Sequence, residues 1–468
     1  MTVIAERPTP GTPRPYLFPD IETVRLPNAI EVRSVNLPGR PLLSASLIFR
    51  RGAADEPAAV GGATVLMARA LAEGTQRHDA IELVEATERL GASLHAEASW
   101  DATTISLDVP SERFEPALEL LAEMADSPTF PDEEVSRLRD ERLNDLLQAR
   151  VDPRRRAEEA FASTIYAPSS PYSRPSGGTQ ASVERLTPDT LRATLARMFD
   201  PAQLTFVIAG DLRGLDVTGI ASRTLGGWTA RTGAEPPGPI DDTPGRSQRI
   251  VRAVHRPGSV QTEIRIGARG LPRRIPDFHA VSVMSAILGG LFDSRLNRKL
   301  REEKGFTYGA GAGFELRRAA GPFAARAGVN TDATTPAIED TLAELQRMRD
   351  EPVTEAEARA ARDFLIGVFP LRFETAGAVA GALTGMVVHE LPDDELTRYR
   401  ERIEAVSVAD IAAAAQRHLD VERMSIVLVG DVDAFLPAVE AAGLGPLEVE
   451  RDEEPVDEGD GGGAPRPS

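Results

Sequence analysis

Hydrophobic positions along the chain form two runs of the same kind. LTFVIAGD (204–211) is an unbroken apolar stretch that closes on Gly-Asp, and MSIVLVGD (424–431) repeats it in the second half. A short apolar run ending at a turn signal predicts a strand buried on both faces. Asp211 and Asp431 stand 220 residues apart. Each run follows a helical pattern, TLRATLARMF (190–199) in one half and VADIAAAAQRHL (408–419) in the other. The order of elements further upstream repeats as well. ASLHAEASWDATTISLDV (92–109) and TYGAGAGFELRRAAGPFAARAGV (307–329) read as hairpins. Phe114, Leu118, Leu121 and Met124 then share one helix face, with Val135, Leu138 and Leu146 on the next helix. In the second half Ile338, Leu342 and Leu345 line a helix, and 354–368 reads as another. Such spacing is the mark of amphipathic helices. The repeat is too long for a solenoid unit. It predicts an α+β fold of two homologous domains, each a mostly antiparallel sheet packed with helices.

Segments without periodicity set the boundaries. Residues 1–19 are Pro-rich and read as a loose N-terminus, 20–228 as the first domain, and 229–247 (TARTGAEPPGPIDDTPGRS) as a linker. The second domain spans 248–440, and an acidic Gly/Pro-rich tail spans 441–468. Within the tail, residues 448–460 hold eight acids against the single base Arg451. That composition predicts disorder.

Composition narrows the chemistry. The 468 residues include no cysteine, which excludes disulfides, thiolate metal sites and a cysteine nucleophile,. The net charge of −19 disfavours a phosphate-coating nucleic-acid binder,. No apolar run approaches a membrane span and no secretory h-region opens the chain, so the cytoplasm is the expected compartment. The six histidines are scattered, with none closer than His78 and His95, and His389-Glu390 lacks the second histidine of H-E-x-x-H,. Only two lysines occur, Lys299 and Lys304, and both flank Arg301.

The segment GGATVLMARALAEGT (61–75), and SRLNRKLREEKGFTY (294–308) after it, carry a resemblance. The chain resembles the insulinase/pitrilysin-type metallopeptidases, whose inverted zinc motif is H-x-x-E-H, and most of all their processing-peptidase-like branch. Gly62-Ala63 and Gly74-Thr75 align with the ends of the zinc-motif helix. Between them the two histidine positions hold Thr64 and Ala68, and the glutamate position holds Met67. Residues at i and i+4 share a helix face, so two imidazoles there would grip a metal and the glutamate would activate its water. Threonine is a poor ligand, alanine offers no donor and methionine is no base. The family's third ligand falls on Asp145, which without the histidines reads as an ordinary salt-bridged carboxylate. The chain is therefore expected to hold no metal, and 61–75 to be a core helix with Val65, Leu66, Ala70 and Leu71 inward.

The second motif matches the resemblance at every fixed position, with Arg301 and Tyr308 in the places of the pair that reaches the zinc centre and stabilises oxyanion charge. Their residue types suit that role, since arginine is always charged and a tyrosine hydroxyl donates without adding charge. Ser294–Lys304 is expected to be a helix closed by Gly305, with Tyr308 entering a strand. The preceding LGGLFD (288–293) reads as a plain helix-terminal turn, shorter than the glycine-rich loop of the mitochondrial noncatalytic subunit.

The resemblance implies a zinc-free subunit of a clam-shell heterodimer. A homologous partner would carry H-x-x-E-H and the zinc, and peptides or unfolded segments would be the substrates, with neither nucleic acid nor membrane as a partner. Two other readings stand beside it. One is a noncatalytic scaffold or peptide-binding protein of the same fold. The other is a self-sufficient metallopeptidase, which would need zinc bound without histidines.

Overall fold

The two apolar runs become central strands of two sheets in the computed structural model, which describes residues 15–39 and 41–451. The first sheet contains β1 (Glu22–Arg25), β2 (Glu31–Asn36), β3 (Leu42–Phe49), β4 (Ser93–Ala98), β5 (Thr103–Pro110) and β6 (Leu204–Gly210). The second contains β7 (Val251–His255), β8 (Gln261–Arg269), β9 (Ala310–Phe314), β10 (Pro322–Asn330), β11 (Ser425–Gly430) and β12 (Leu447–Arg451). Their orders are β1-β2-β6-β3-β5-β4 and β12-β7-β11-β8-β10-β9, so five strands of each sheet superpose in sequence order. Pairing is antiparallel except for β2–β6, β7–β11 and β7–β12, which makes both sheets mixed. Every residue of β6 and β11 is buried, as an apolar run without alternation requires,.

The repeated Gly-Asp has a shared purpose. Asp211 Oδ2 accepts the Gly39 N–H at 2.9 Å, and Asp431 Oδ2 accepts the Gly258 N–H at 3.0 Å. Each aspartate thus closes the turn between the first two core strands of its own sheet.

One face of each sheet is covered by helices of its own half. Phe114, Leu118, Leu121 and Met124 are fully buried there, as are Ile338 and Leu345 in the second half. The opposite faces are covered by exchange. Helix Pro153–Ile165, from the first half, lies on β8 and β11, where Phe161 and Ile165 pack with Val254, Val427 and Val429. Helix Ala376–Val388, from the second half, lies on β3 and β6, where Val379, Leu383 and Met386 pack with Ile48, Val207 and Ala209. Each buried Leu, Val or Phe side chain contributes about 1.5–3 kcal/mol, so the exchange ties the halves into one packing unit. Residues 229–247 have no helix and span both halves. Arg51 holds the carbonyls of Glu235 and Pro236, and Asp242 accepts from Arg269 and the Ala320 N–H.

Both chain ends differ from expectation. Tyr16 and Phe18 do not hang loose but pack edge-on against Phe369 and Phe373, with ring centroids 6.0 and 5.0 Å apart. The acidic segment begins with a strand rather than a tail. β12 pairs with β7, and Glu448 and Glu450 meet Arg246 and Arg252. Basic partners on the neighbouring strand and in the linker offset the charge that composition alone counts against folding. The expected disorder of 452–468 and of the first 14 residues lies outside the described residues. Among the described residues no single helix is long and apolar enough to cross a membrane.

Candidate functional site

The helix aligned with the zinc motif is Ala63–Ala70. Its N-terminus is held by Glu56, whose carboxylate accepts the N–H groups of Gly62 and Thr64. Burial pushes the Glu56 carboxyl up, against the pull of those donors. Gly62 has φ +93°, and a Cβ there would lie 2.6 Å from the Gly177 carbonyl. Close backbone packing, not chemistry, explains the glycine that opens the motif.

Thr64, Met67 and Ala68 are buried, with 2%, 0% and 0% exposure. Met67 belongs to the core of the first half with Leu66, Ala70 and Leu71. Val65 instead lines the cleft between the halves. Asp145, on helix Asp132–Val151, is bonded by Arg142 and by both terminal nitrogens of Arg155, at 2.9 and 3.1 Å. Hydrogen bonds from Arg155, helped by the charge of Arg142, hold its carboxyl below the usual range. The donor set does not fit zinc. Both imidazole positions are apolar or a bare hydroxyl, and the one carboxylate already has two guanidinium partners. Among the described residues one other group has metal-like spacing, His255, Asp431 and Asp433. Asp431 there closes its turn, and Asp433 is paired with Arg451 at 2.7 Å.

The second motif is built differently from its expectation. Ser294 caps a short helix, Arg295–Asn297, which passes into a π-helix over Arg298–Glu303. A second π-helix, Ala286–Gly290, precedes it in place of a plain turn. Gly289 lets that helix touch β9, since a Cβ would lie 2.1 Å from the Ala312 nitrogen. Gly305, at φ +64°, follows the π-helix Arg298–Glu303, and the Phe306 N–H returns to the Leu300 carbonyl at 2.9 Å. Tyr308 does not enter a strand. It sits in the loop before β9 and is 95% exposed. Arg301 stacks on the Phe292 ring at 3.9 Å and is 3.5 Å from Glu302. No hydrogen bond or ring contact joins Arg301 to Tyr308 among the described residues.

Three motif residues that sequence reasoning left without a role hold this loop in place. Arg295 is buried and bonds both carboxylate oxygens of Glu357, at 2.8 and 3.2 Å. Burial alone would raise the Glu357 carboxyl, but Arg295 and Thr354 outweigh it and bring it down to about 2. Asn297 accepts the Ala310 N–H at 2.8 Å and donates to the Leu291 carbonyl at 3.3 Å. Both ends of the loop are thus tied by one side chain, while Ser294 starts the helix. Of these, only the Ser294 cap was legible in the sequence, since serine favours the N-cap position.

One half thus holds a core helix at the position of the zinc motif, and the other a tethered loop that presents a basic and a phenolic side chain. The family of that arrangement is settled by comparison. The insulinase (peptidase family M16) profile matches residues 31–175, and the peptidase M16 inactive domain profile matches 185–365. The chain belongs to the M16 peptidase family. It is 24% identical over 421 residues to an uncharacterized zinc protease of Streptomyces coelicolor, covering 88% of this chain and 90% of that one. It is 23% identical over 391 residues to a protein of Helicobacter pylori described as a non-peptidase homolog, covering 82% and 88%. The crystal structure of a peptidase M16 inactive domain from Pseudomonas fluorescens matches with a TM-score of 0.81 at 26% identity, over 88% of this chain and 98% of that one. A protease from Helicobacter pylori shares the fold at a TM-score of 0.81 and 19% identity, over 88% and 100%.

Proposed function

We propose that this chain is the zinc-free, substrate-orienting subunit of a two-subunit M16 peptidase. Its partner carries H-x-x-E-H and the zinc, and this chain contributes Arg301 and Tyr308 to the partner's site. The observation that carries the reading is the contrast in exposure: Thr64, Met67 and Ala68 are sealed into the core, while Tyr308 is 95% exposed on a loop that Asn297 clamps. A bulky aromatic side chain left wholly in solvent on a tethered loop suits a task on another molecule. In the assembly the guanidinium and phenol act as donors to the oxygen on which charge develops, with peptides or unfolded segments as substrates. The test is reconstitution with a homologous H-x-x-E-H subunit from the same genome. Peptide hydrolysis should require both chains, and Tyr308→Phe should lower kcat about 100-fold while the complex still forms. Equal hydrolysis by the partner alone would sink the reading. The relative described as a non-peptidase homolog favours a second reading, a noncatalytic scaffold or peptide-binding protein. In that case the same substitution leaves turnover unchanged.

A further inference from the structure

A cavity of about 500 Å³ lies between the two halves, walled by the helix Ala63–Ala70, the exchanged helix Pro153–Ile165, and the β9–β10 hairpin. Its charge runs opposite to that of the chain. Five arginines line it against three glutamates, in a protein of net charge −19. Two of those arginines have donor capacity left over. Arg317 is 8% exposed and is bonded to Glu315 through Nε and Nη2, while its Nη1 has no hydrogen-bond partner. Arg174 gives Nη2 to the Glu56 carbonyl at 3.3 Å and has no carboxylate within salt-bridge distance among the described residues. Burial disfavours its charged form, and the nearby Glu56 charge only partly offsets this,. Arg326, half exposed, has only Glu158 at 3.8 Å.

The walls between these cations are aromatic. Trp100 and Tyr172 meet edge to face at 5.2 Å, and the Arg317 guanidinium lies over both rings, at 4.6 and 4.5 Å. A guanidinium fixed by two rings and one carboxylate is pre-organised, so little entropy is lost when it binds a further acceptor. Arginine forks and aromatic faces together match a carboxylate next to apolar groups.

We infer that this cavity is a binding site for a carboxylate-bearing segment of an extended peptide, received by Arg317, Arg174 and Arg326 against the Trp100–Tyr172 wall. The site names a substrate class, acidic peptides, and needs no zinc partner, so it stands or falls independently of the role proposed for Arg301 and Tyr308. The carboxylate can come from a Glu or Asp side chain or from a peptide C-terminus.

The full chain carrying Trp228→Phe leaves Trp100 as its one indole, because the sequence has two tryptophans. Trp100 emission and the anisotropy of fluorescein-labelled nonapeptides then report binding together. The peptides are a Glu-rich sequence, its Lys-substituted twin, and a neutral sequence with a free or an amidated C-terminus. The Glu-rich or the free-acid peptide should bind at least ten-fold more tightly than its counterpart, with a change in Trp100 emission. Arg326→Glu, on the exposed rim, should weaken that binding at least ten-fold while leaving the melting temperature in place. Arg317→Gln should do the same where it folds. Equal binding of acidic and basic peptides, no binding of any, or indifference to Arg326→Glu would each overturn the inference.

Discussion

The two halves share a fold, but their motif segments lie at opposite depths. In the first, the residues aligned with the chemistry of the family, Thr64, Met67 and Ala68, lie in the core. In the second, Tyr308 is almost wholly in solvent and Arg301 is held at the surface by Phe292. One scaffold occurs twice, and the two copies treat their motif segments differently, one burying it in the core and the other exposing it on a loop. The contrast shows that a degenerate motif need not be an eroded one. The helix at the zinc-motif position has the Gly62 close approach and the Glu56 cap, so it serves packing without the family's ligands.

The largest effects should come from reversing that contrast. Met67 is fully buried, so Met67→Glu would place a carboxylate in the core with no partner. That should cost at least about 3 kcal/mol or drive the group to its neutral form. Thermal unfolding at pH 7 checks it, and a stability unchanged within about 0.5 kcal/mol would show that the helix still opens to solvent as a zinc site must. The triple change Thr64→His, Met67→Glu, Ala68→His should bind no stoichiometric zinc, because Asp145 is already satisfied by Arg142 and Arg155.

The exchanged helices allow a symmetric comparison. Phe161→Ala strips the helix that the first half lends to the second sheet, and Leu383→Ala strips its counterpart. Each should cost about 2–5 kcal/mol. Because each helix is held by the other half, both variants should shift one calorimetric transition as a whole. Two separated transitions would mean that the halves are independent after all.

Much of this was legible in the chain. The 220-residue repeat, the hairpins, the buried β6 and β11 and the faces of Phe114 and Ile338 follow from apolar spacing, which is a local signal. The exchange was not legible. The patterns of 153–165 and 376–388 say that one face is apolar but not which sheet receives it, and that choice is made by contacts on the order of 100 residues away or more. β12 was hidden by composition, since Glu448 and Glu450 read as solvated until Arg246, Arg252 and Arg156 are brought beside them. The π-turn over Arg298–Glu303 was hidden by periodicity, because an added residue per turn leaves few marks in a six-residue stretch. Of the candidate site, the residue types were legible from the motifs, but their exposure was not.

The Arg295–Glu357 pair that anchors the exposed loop gives a pH-dependent prediction. Glu357 has an ordinary carboxyl pKa of 4.5, brought down to about 2 in the folded state mainly by Arg295 and Thr354 against the opposing effect of burial. A carboxylate depressed on folding stabilises the protein above its unfolded pKa and loses that contribution as pH falls through the folded one. The window is therefore about pH 4.5 down to 2, and the contribution at neutral pH is about 3 kcal/mol at most. Glu357→Gln should remove it and flatten the stability profile across that window. Glu56, which caps the helix Ala63–Ala70, is instead pushed up by burial, so Glu56→Gln should not produce a matching flattening.

The smallest effect should separate the two sheet edges. The first sheet ends at β1, whose four residues are all exposed, and the second at β12, whose Glu450 is shared by Arg252 at 2.6 Å and by Arg156 of the exchanged helix. Glu450 is more than a third solvent-accessible, so screening limits the pair and Glu450→Gln should cost about 1 kcal/mol or less. Its value is as a probe of the exchange. Arg156 belongs to the first half and Arg252 to the second, so a double-mutant cycle between Glu450 and Arg156 measures coupling across the halves directly. A coupling of about 0.5 kcal/mol that fades in 1 M salt is expected, and none at low salt would show that the acidic strand is held by its backbone pairing with β7 alone.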